Sequence, residues 1–294
     1  MLSGNFKSYL QLHFIVFIWG FTAVIGKLIS LDALPLVWFR MSIATLFMLL
    51  YIIIKKTSLH IPRKTVMVFL VAGLIIALHW VTFFKAIKVA NVSVTLACLS
   101  TGAFFTSLLE PIFFKRKIIW YEVLFGLFVI GGLYIIFRFE GDYTYGIILA
   151  LTSAFLSACF SIINGKYANK YKPSVISLYE IFGGVLFLSL YLFFTGSFTS
   201  GFFQVSARDW MWLAALGSFC TAYAFIVSVE VMKFLSPYTV MLTINLEPVY
   251  GIILALLVFK ENERMSWTFY VGAAIIIITV IMNGILKKYY KTVK

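Results

Sequence analysis

A carboxylate beside a proline is the arrangement in this chain with the clearest chemistry. Glu247 precedes Pro248 and follows Asn245, near the middle of an apolar run, Ser236–Phe259. Proline has no backbone donor and frees a carbonyl one turn back. A carboxylate next to such a loosened turn can bind an ammonium group or take up a proton. The competing reading is a structural hydrogen bond holding two helices at the kink. An ionisable residue inside an apolar span costs about 2.5–3.5 kcal/mol on insertion scales and persists when paired, wetted or functional.

Other polar and aromatic residues sit at comparable depth. Trp19 and Trp80 are placed to form aromatic walls over an amphipathic or cationic solute, although packing roles compete. Trp38 and Trp210 lie near run ends and read as interfacial belt residues. His79, next to Trp80, titrates near neutrality when unperturbed and suits a proton relay, against the commoner satisfied structural histidine. Tyr223, Asn164 and Asn245 serve either a cavity or helix–helix hydrogen bonds. Arg40 and Glu180 carry opposite charges at matching places in the two halves, as do Lys85 and Glu230. If these pairs meet, they would latch one state and release another. Snorkelling to the interface is the alternative, favoured for the lysines. Glu110 faces the basic run Lys115–Lys117 and reads as a local ion pair. No ligand spacing resembles a zinc site, no phosphate-binding glycine loop is present, and no nucleophile, base and orienting acid can be grouped. Neither a metal nor a cofactor is expected. Cys98, Cys159 and Cys220 lie in apolar runs and read as small hydrophobes.

The elements that must hold these residues follow from composition. Of 294 residues, 62% are apolar and 12% charged, against about 45–50% and about 25% in soluble domains. Lipid must therefore solvate much of the surface. Ten runs are long enough for the roughly 20-residue crossing of a bilayer. They are Tyr9–Ser30, Pro35–Ile54, Thr65–Ile87, Val92–Phe114, Ile118–Phe137, Tyr145–Asn164, Ser174–Phe194, Asp209–Met232, Ser236–Phe259 and Trp267–Leu286. The first run is too long for a cleaved leader. The net charge of +13 lies in short loops beside the runs, which points to anionic lipid rather than nucleic acid. With the N-terminus inside, sixteen Lys and Arg fall on inner segments and seven on outer ones. That bias predicts both termini in the cytoplasm and a multi-pass protein of the cytoplasmic (inner) membrane.

The second half echoes the first. The stretch Ala44–Tyr51 (ATLFMLLY) matches Gly184–Tyr191 (GVLFLSLY) at an offset of 140, a register that pairs Arg40 with Glu180. Gly26-Lys27 matches Gly165-Lys166, Lys88 matches Lys233, and Gly126 matches Gly272, with slowly drifting offsets. Chance agreement between hydrophobic stretches is the alternative. The halves divide as residues 1–140 and 141–294, with five runs each. Five is odd, so the second half enters the bilayer upside down, the inverted repeat of many alternating-access carriers.

Trp19-Gly20-Phe21, Gly26-Lys27, Pro35, Arg40 and Ala44 resemble the opening of an EamA-type repeat, and Leu246-Glu247-Pro248, Glu263-Arg264 and Gly272 resemble its end. Over essentially its whole length the chain resembles the ten-helix EamA family of the drug/metabolite transporter superfamily. The resemblance implies an all-α membrane protein of two inverted five-helix repeats. It also implies a central cavity among the first, third, fourth, sixth, eighth and ninth helices, and movement of amino acids, related metabolites or drugs. Two departures stand out. The proline usual midway along the fourth helix is absent near Gly102, and Lys117 stands where the second half has Glu263. The expectation is a monomeric secondary transporter in which Glu247 and Asn245 bind the charged part of a small-molecule substrate, Trp19, His79, Trp80 and Tyr223 line the cavity, and protons are a candidate coupling ion. A membrane enzyme acting on lipid-linked substrates would need convergent acids, a metal cluster or a large interfacial loop. A scaffold would have a dry, apolar centre.

Overall fold

A computed structural model describes residues 4–115, 120–139 and 141–292. All ten apolar runs contain helix, and no strand occurs among the described residues. The long helices are α1 (Gly4–Leu28), α2 (Ala33–Ile54), α3 (Arg63–Val89), α6 (Trp120–Phe139), α7 (Thr144–Tyr167), α8 (Pro173–Phe194) and α13 (Trp267–Thr292). Three runs are broken into pairs: α4 (Val92–Leu99) with α5 (Gly102–Phe114), α9 (Ala207–Gly217) with α10 (Ala224–Val231), and α11 (Pro237–Ile244) with α12 (Leu246–Phe259). By length and composition, eight of the runs can cross a membrane. In α6 and α13 the described apolar stretches are shorter, Leu124–Ile136 and Trp267–Thr279. Arg116 and Lys117, part of the expected basic run, lie outside the described residues, as does Glu140.

The helices start and stop where local chemistry dictates. Pro173 and Pro237 open α8 and α11, where a missing donor costs nothing. Asn91 and Ser236 cap α4 and α11, accepting hydrogen bonds from the amides of Val94 and Thr239. These caps are 145 residues apart, and so are the breaks that follow them, at Ser100 and Asn245. In the second half the break has Pro248 to explain it. The first half has no such proline. There Ser100 Oγ and Thr101 Oγ1 donate to the carbonyls of Ala97 and Cys98 at 2.5 and 2.7 Å. Hydroxyls take the carbonyls' lone pairs and let the helix step before Gly102.

Packing between the halves is reciprocal. Helix α3 lies against α8, as α2 lies against α9; α3 meets α7, as α1 meets α10; and α7 meets α4 and α5, as α1 meets α11 and α12. The contacts α2–α8 and α6–α13 are their own counterparts, and α4–α12 is matched by α5–α11. Glycines make the closest approaches. A Cβ on Gly73 would stand 2.1 Å from the Glu180 carbonyl oxygen, and one on Gly217 3.1 Å from that of Arg40. Arg40 and Glu180 are the residues that the repeat pairs. Gly132 and Gly272 face each other across α6 and α13, each placing its Cβ direction 2.9 Å from the other's carbonyl.

The two ends of the bundle differ. At one end, Lys27 Nζ reaches Glu263 Oε1 at 2.6 Å, and Lys88 Nζ donates to the Ile29 carbonyl. Ser30 donates through its amide and hydroxyl to Asp209 at 2.9 and 2.5 Å. Trp38, expected in the belt, lies at this end in a cluster with Phe39, Phe198, Phe202 and Phe203, its indole donating to Ser189. At the opposite end, Tyr179 donates to the Leu59 carbonyl, Thr65 shares a hydrogen bond with Tyr171, and Glu110 Oε1 accepts from the Tyr238 amide at 3.0 Å. The amide of Tyr238, in the first turn of α11, is thus one partner of Glu110.

Candidate functional site

A cavity of about 70 Å³ lies between the halves. Helices α1, α2, α3, α4, α7, α10, α11 and α12 contribute to its wall. It reaches from Arg40 and Phe83 toward Asn164, Met232 and Val240, that is, toward the end holding Glu110. The other end is closed by the Lys27–Glu263 and Ser30–Asp209 contacts.

Trp19, His79, Trp80 and Glu247 all face this cavity, together with Arg40. The Trp19 indole donates to the Cys220 carbonyl at 3.0 Å, tying α1 to the eighth run. That carbonyl belongs to a π-helical turn, Ser218–Tyr223, between α9 and α10. A π-turn inserts one residue and often marks a functional site. It also turns Thr221 inward, where the hydroxyl accepts from Arg40 Nε at 2.6 Å and donates to the Leu216 carbonyl.

Arg40 is 1% exposed. Its guanidinium lies 4.0 Å from the Trp80 ring centre and 5.4 Å from that of Phe84. Such stacking is stabilising by about 2 kcal/mol or more when desolvated. Nη1 has no hydrogen-bond partner. Glu247 is buried in the same wall, and it forms no ion pair with Arg40. His79 Nδ1 lies 2.9 Å from the Ser153 carbonyl oxygen. A carbonyl only accepts, so Nδ1 carries the hydrogen. Ser153 Oγ in turn donates to the His79 carbonyl at 3.0 Å, fastening α3 to α7.

Two expected lining residues are elsewhere. Tyr223 is 43% exposed and packs edge-on against Phe14 on the outer surface. The extra residue of the π-turn rotates it away from the centre while Cys220 and Thr221 take the inner face. Asn245 is buried at the break between α11 and α12 but is not part of the cavity wall. Neither expected charge pair meets. Arg40 lies seven residues into α2 from the end closed by Ser30–Asp209, whereas Glu180 lies seven into α8 from the opposite end. Glu180 is fully buried beside Asn164, with neither carboxyl oxygen in a hydrogen bond of ordinary geometry. Lys85 is near the end of α3 and Glu230, exposed, near the far end of α10.

Sequence reasoning missed several wall residues. Ser157 and Ser161 belong to the Thr152–Ser161 run, whose composition suits close helix contact, yet both face the cavity with Asn164. Ser228, Phe160 and Phe225 carried no signal that separates a cavity from lipid. Glu263, legible only as part of a motif, is fully buried. It accepts from Lys27 Nζ, from the amides of Val92 and Ser93 at 3.0 and 2.9 Å, and from Ser93 Oγ at 2.9 Å.

Comparison with known proteins agrees with this architecture. The profile of the EamA-like transporter family matches residues 7–138 and 144–285. An uncharacterized transporter, YdfC, of Bacillus subtilis (strain 168) is 23% identical over 157 residues. That match takes in 52% of this chain and 51% of the relative, so about half the length of each. One crystal structure of a protein shares the fold with a TM-score of 0.69 at 15% identity, covering 95% of this chain and 98% of that one.

Proposed function

The chain belongs to the EamA-like transporter family, and from that premise we propose that it is a secondary transporter moving small metabolites, such as amino acids or related compounds, by alternating access. It is a multi-pass membrane transporter of the drug/metabolite transporter type, not an enzyme. The observation that carries the finer reading is the cavity between the halves, walled by a carboxyl group, a guanidinium and aromatic rings. A non-transporting scaffold has no use for buried charges around a hollow, because each is costly unless it serves a ligand or a path.

Alternating access draws support from the reciprocal packing of the halves and from the unequal ends of the bundle. Two similar halves can exchange a closed end for an open one by rocking about the shared hollow. The proposed topology has ten spans, with the halves (residues 1–140 and 141–294) inverted. In its support, α1 ends at the Lys27–Glu263 end, whereas α7, the first helix of the second half, ends near Tyr171 at the opposite one. Both termini then lie in the cytoplasm of a cell with this protein in its inner membrane. Cysteine tags at the two ends of the chain should both resist an impermeant thiol reagent in intact cells. Labelling of one end alone would remove the inverted layout.

Glu247 is assigned the binding of the substrate's cationic group, with Trp19, Trp80 and His79 as walls and a proton as a candidate coupling ion. The test is uptake of a panel of labelled metabolites by vesicles containing the purified monomer, with and without a pH gradient. Glu247→Gln keeps the shape and removes the charge. It should reduce transport of the substrate by about a hundredfold, as loss of a buried charge partner does. Unaltered transport of every moved solute by a folded Glu247→Gln protein would remove Glu247 from the mechanism.

A further inference from the structure

We infer that Arg40 is the receptor for a carboxylate on the transported solute, held ready by Trp80 and Thr221, and that this contact selects acids over their neutral analogues. The inference rests on the transport reading above and names one more determinant of it.

Arg40 has five N–H donors. Thr221 takes the Nε hydrogen at 2.6 Å, and the faces of Trp80 and Phe84 cover the guanidinium plane without using its in-plane hydrogens. Nη1 remains without a partner on a residue that is 1% exposed and lines the cavity. A buried guanidinium lacking an anion leaves both charge and donors unmet. Neither Glu180 nor Glu247 is in ion-pair contact with it, and Glu247 lines the same cavity.

The geometry suits a planar carboxylate, which accepts through two oxygens from a guanidinium. A phosphate dianion fits less well, because Glu247 would repel its second charge. A solute with one carboxylate and one ammonium group matches both walls. Thr221 and Trp80 fix the guanidinium before anything binds, so little ordering is required of it on binding. They act as positioning residues, and the π-turn places the hydroxyl that one of them supplies.

The experiment compares each of the twenty amino acids with its carboxamide in vesicles containing the full chain. The carboxamide keeps shape and ammonium group but loses the acid. Wild-type protein should move at least one amino acid about a hundredfold better than its carboxamide. Arg40→Gln should bring that ratio to about one. Should Arg40→Gln fail to fold, Thr221→Val retains the guanidinium but frees its Nε. It should raise KM for the acid about tenfold and leave the carboxamide's unmoved. Vesicles that carry acid and carboxamide alike, or other metabolites but no amino acid, overturn this inference and leave transport standing. So do variants with the wild-type ratio. Vesicles that carry nothing overturn both.

Discussion

Glu263→Ala should cost about 3–5 kcal/mol of stability, the range for breaking a buried pair by removing one partner. The carboxylate holds Lys27 at 2.6 Å and serves three further donors at the start of α4. Removing it strands two helix amides in apolar surroundings, and unpaired donors there carry their full desolvation penalty. It also leaves Lys27 without its anion, while Phe259 still covers the ammonium at 4.5 Å. The purified variant in detergent should melt about 10 °C lower than wild type. Glu263→Gln should fall between, since its amide oxygen can accept but its NH2 group faces other donors. Lys27→Met removes the cation and leaves the helix start capped, so it should be milder than Glu263→Ala. If the alanine variant melts with wild type, the carboxylate is not what holds that end.

The second large effect concerns a glycine. Gly73→Val should prevent recovery of folded protein. The added Cβ alone would stand 2.1 Å from the Glu180 carbonyl oxygen and 2.7 Å from the Gly184 amide nitrogen. Both are backbone atoms, so relief requires α3 and α8 to separate along their contact. Overpacking of this kind costs about 1–3 kcal/mol where side chains can shift, and more where they cannot. Its counterpart offers a control. At Gly217 the nearest atoms belong to the Ile43 side chain, 2.6 and 2.7 Å away, with the Arg40 carbonyl at 3.1 Å. Gly217→Ala should therefore be better tolerated than Gly73→Ala. The measure is the yield of monodisperse protein on size exclusion. Equal yields would show that the two approaches are not as unequal as drawn.

Much of the layout was legible because the bilayer imposes it. Run length and apolarity bracketed the helices to within a few residues, as in Ser174–Phe194 against α8 (Pro173–Phe194). The offset between Arg40 and Glu180 reappears as matched close approaches at Gly73 and Gly217. The repeat register, though not its three-dimensional use, was therefore written in the chain. Trp19, His79, Trp80 and Glu247 reach one cavity because deep polar and aromatic residues have few other places to go. Tyr223 failed to follow because the π-turn adds one residue that no local propensity announces. The Arg40–Glu180 pairing failed for a geometric reason. Equivalent positions coincide in space only near the symmetry axis, and these two approach from opposite ends. Glu263 was opaque because its partners, Lys27, Val92 and Ser93, are about 170 or more residues away. The step at Ser100–Gly102 shows that hydroxyls can do what proline does in the other half.

The carboxyls at Glu110 and Glu263 form a mutual loan. Glu110, in the first half, receives the opening of α11 in the second, and Glu263, in the second, receives the opening of α4 in the first. Expressed separately, either half would leave leading amides of a helix without the carboxyl that receives them in the whole chain. Two gene fragments split within the short connection near Asp142 should therefore yield stable protein only when made together, with each fragment degraded when made alone.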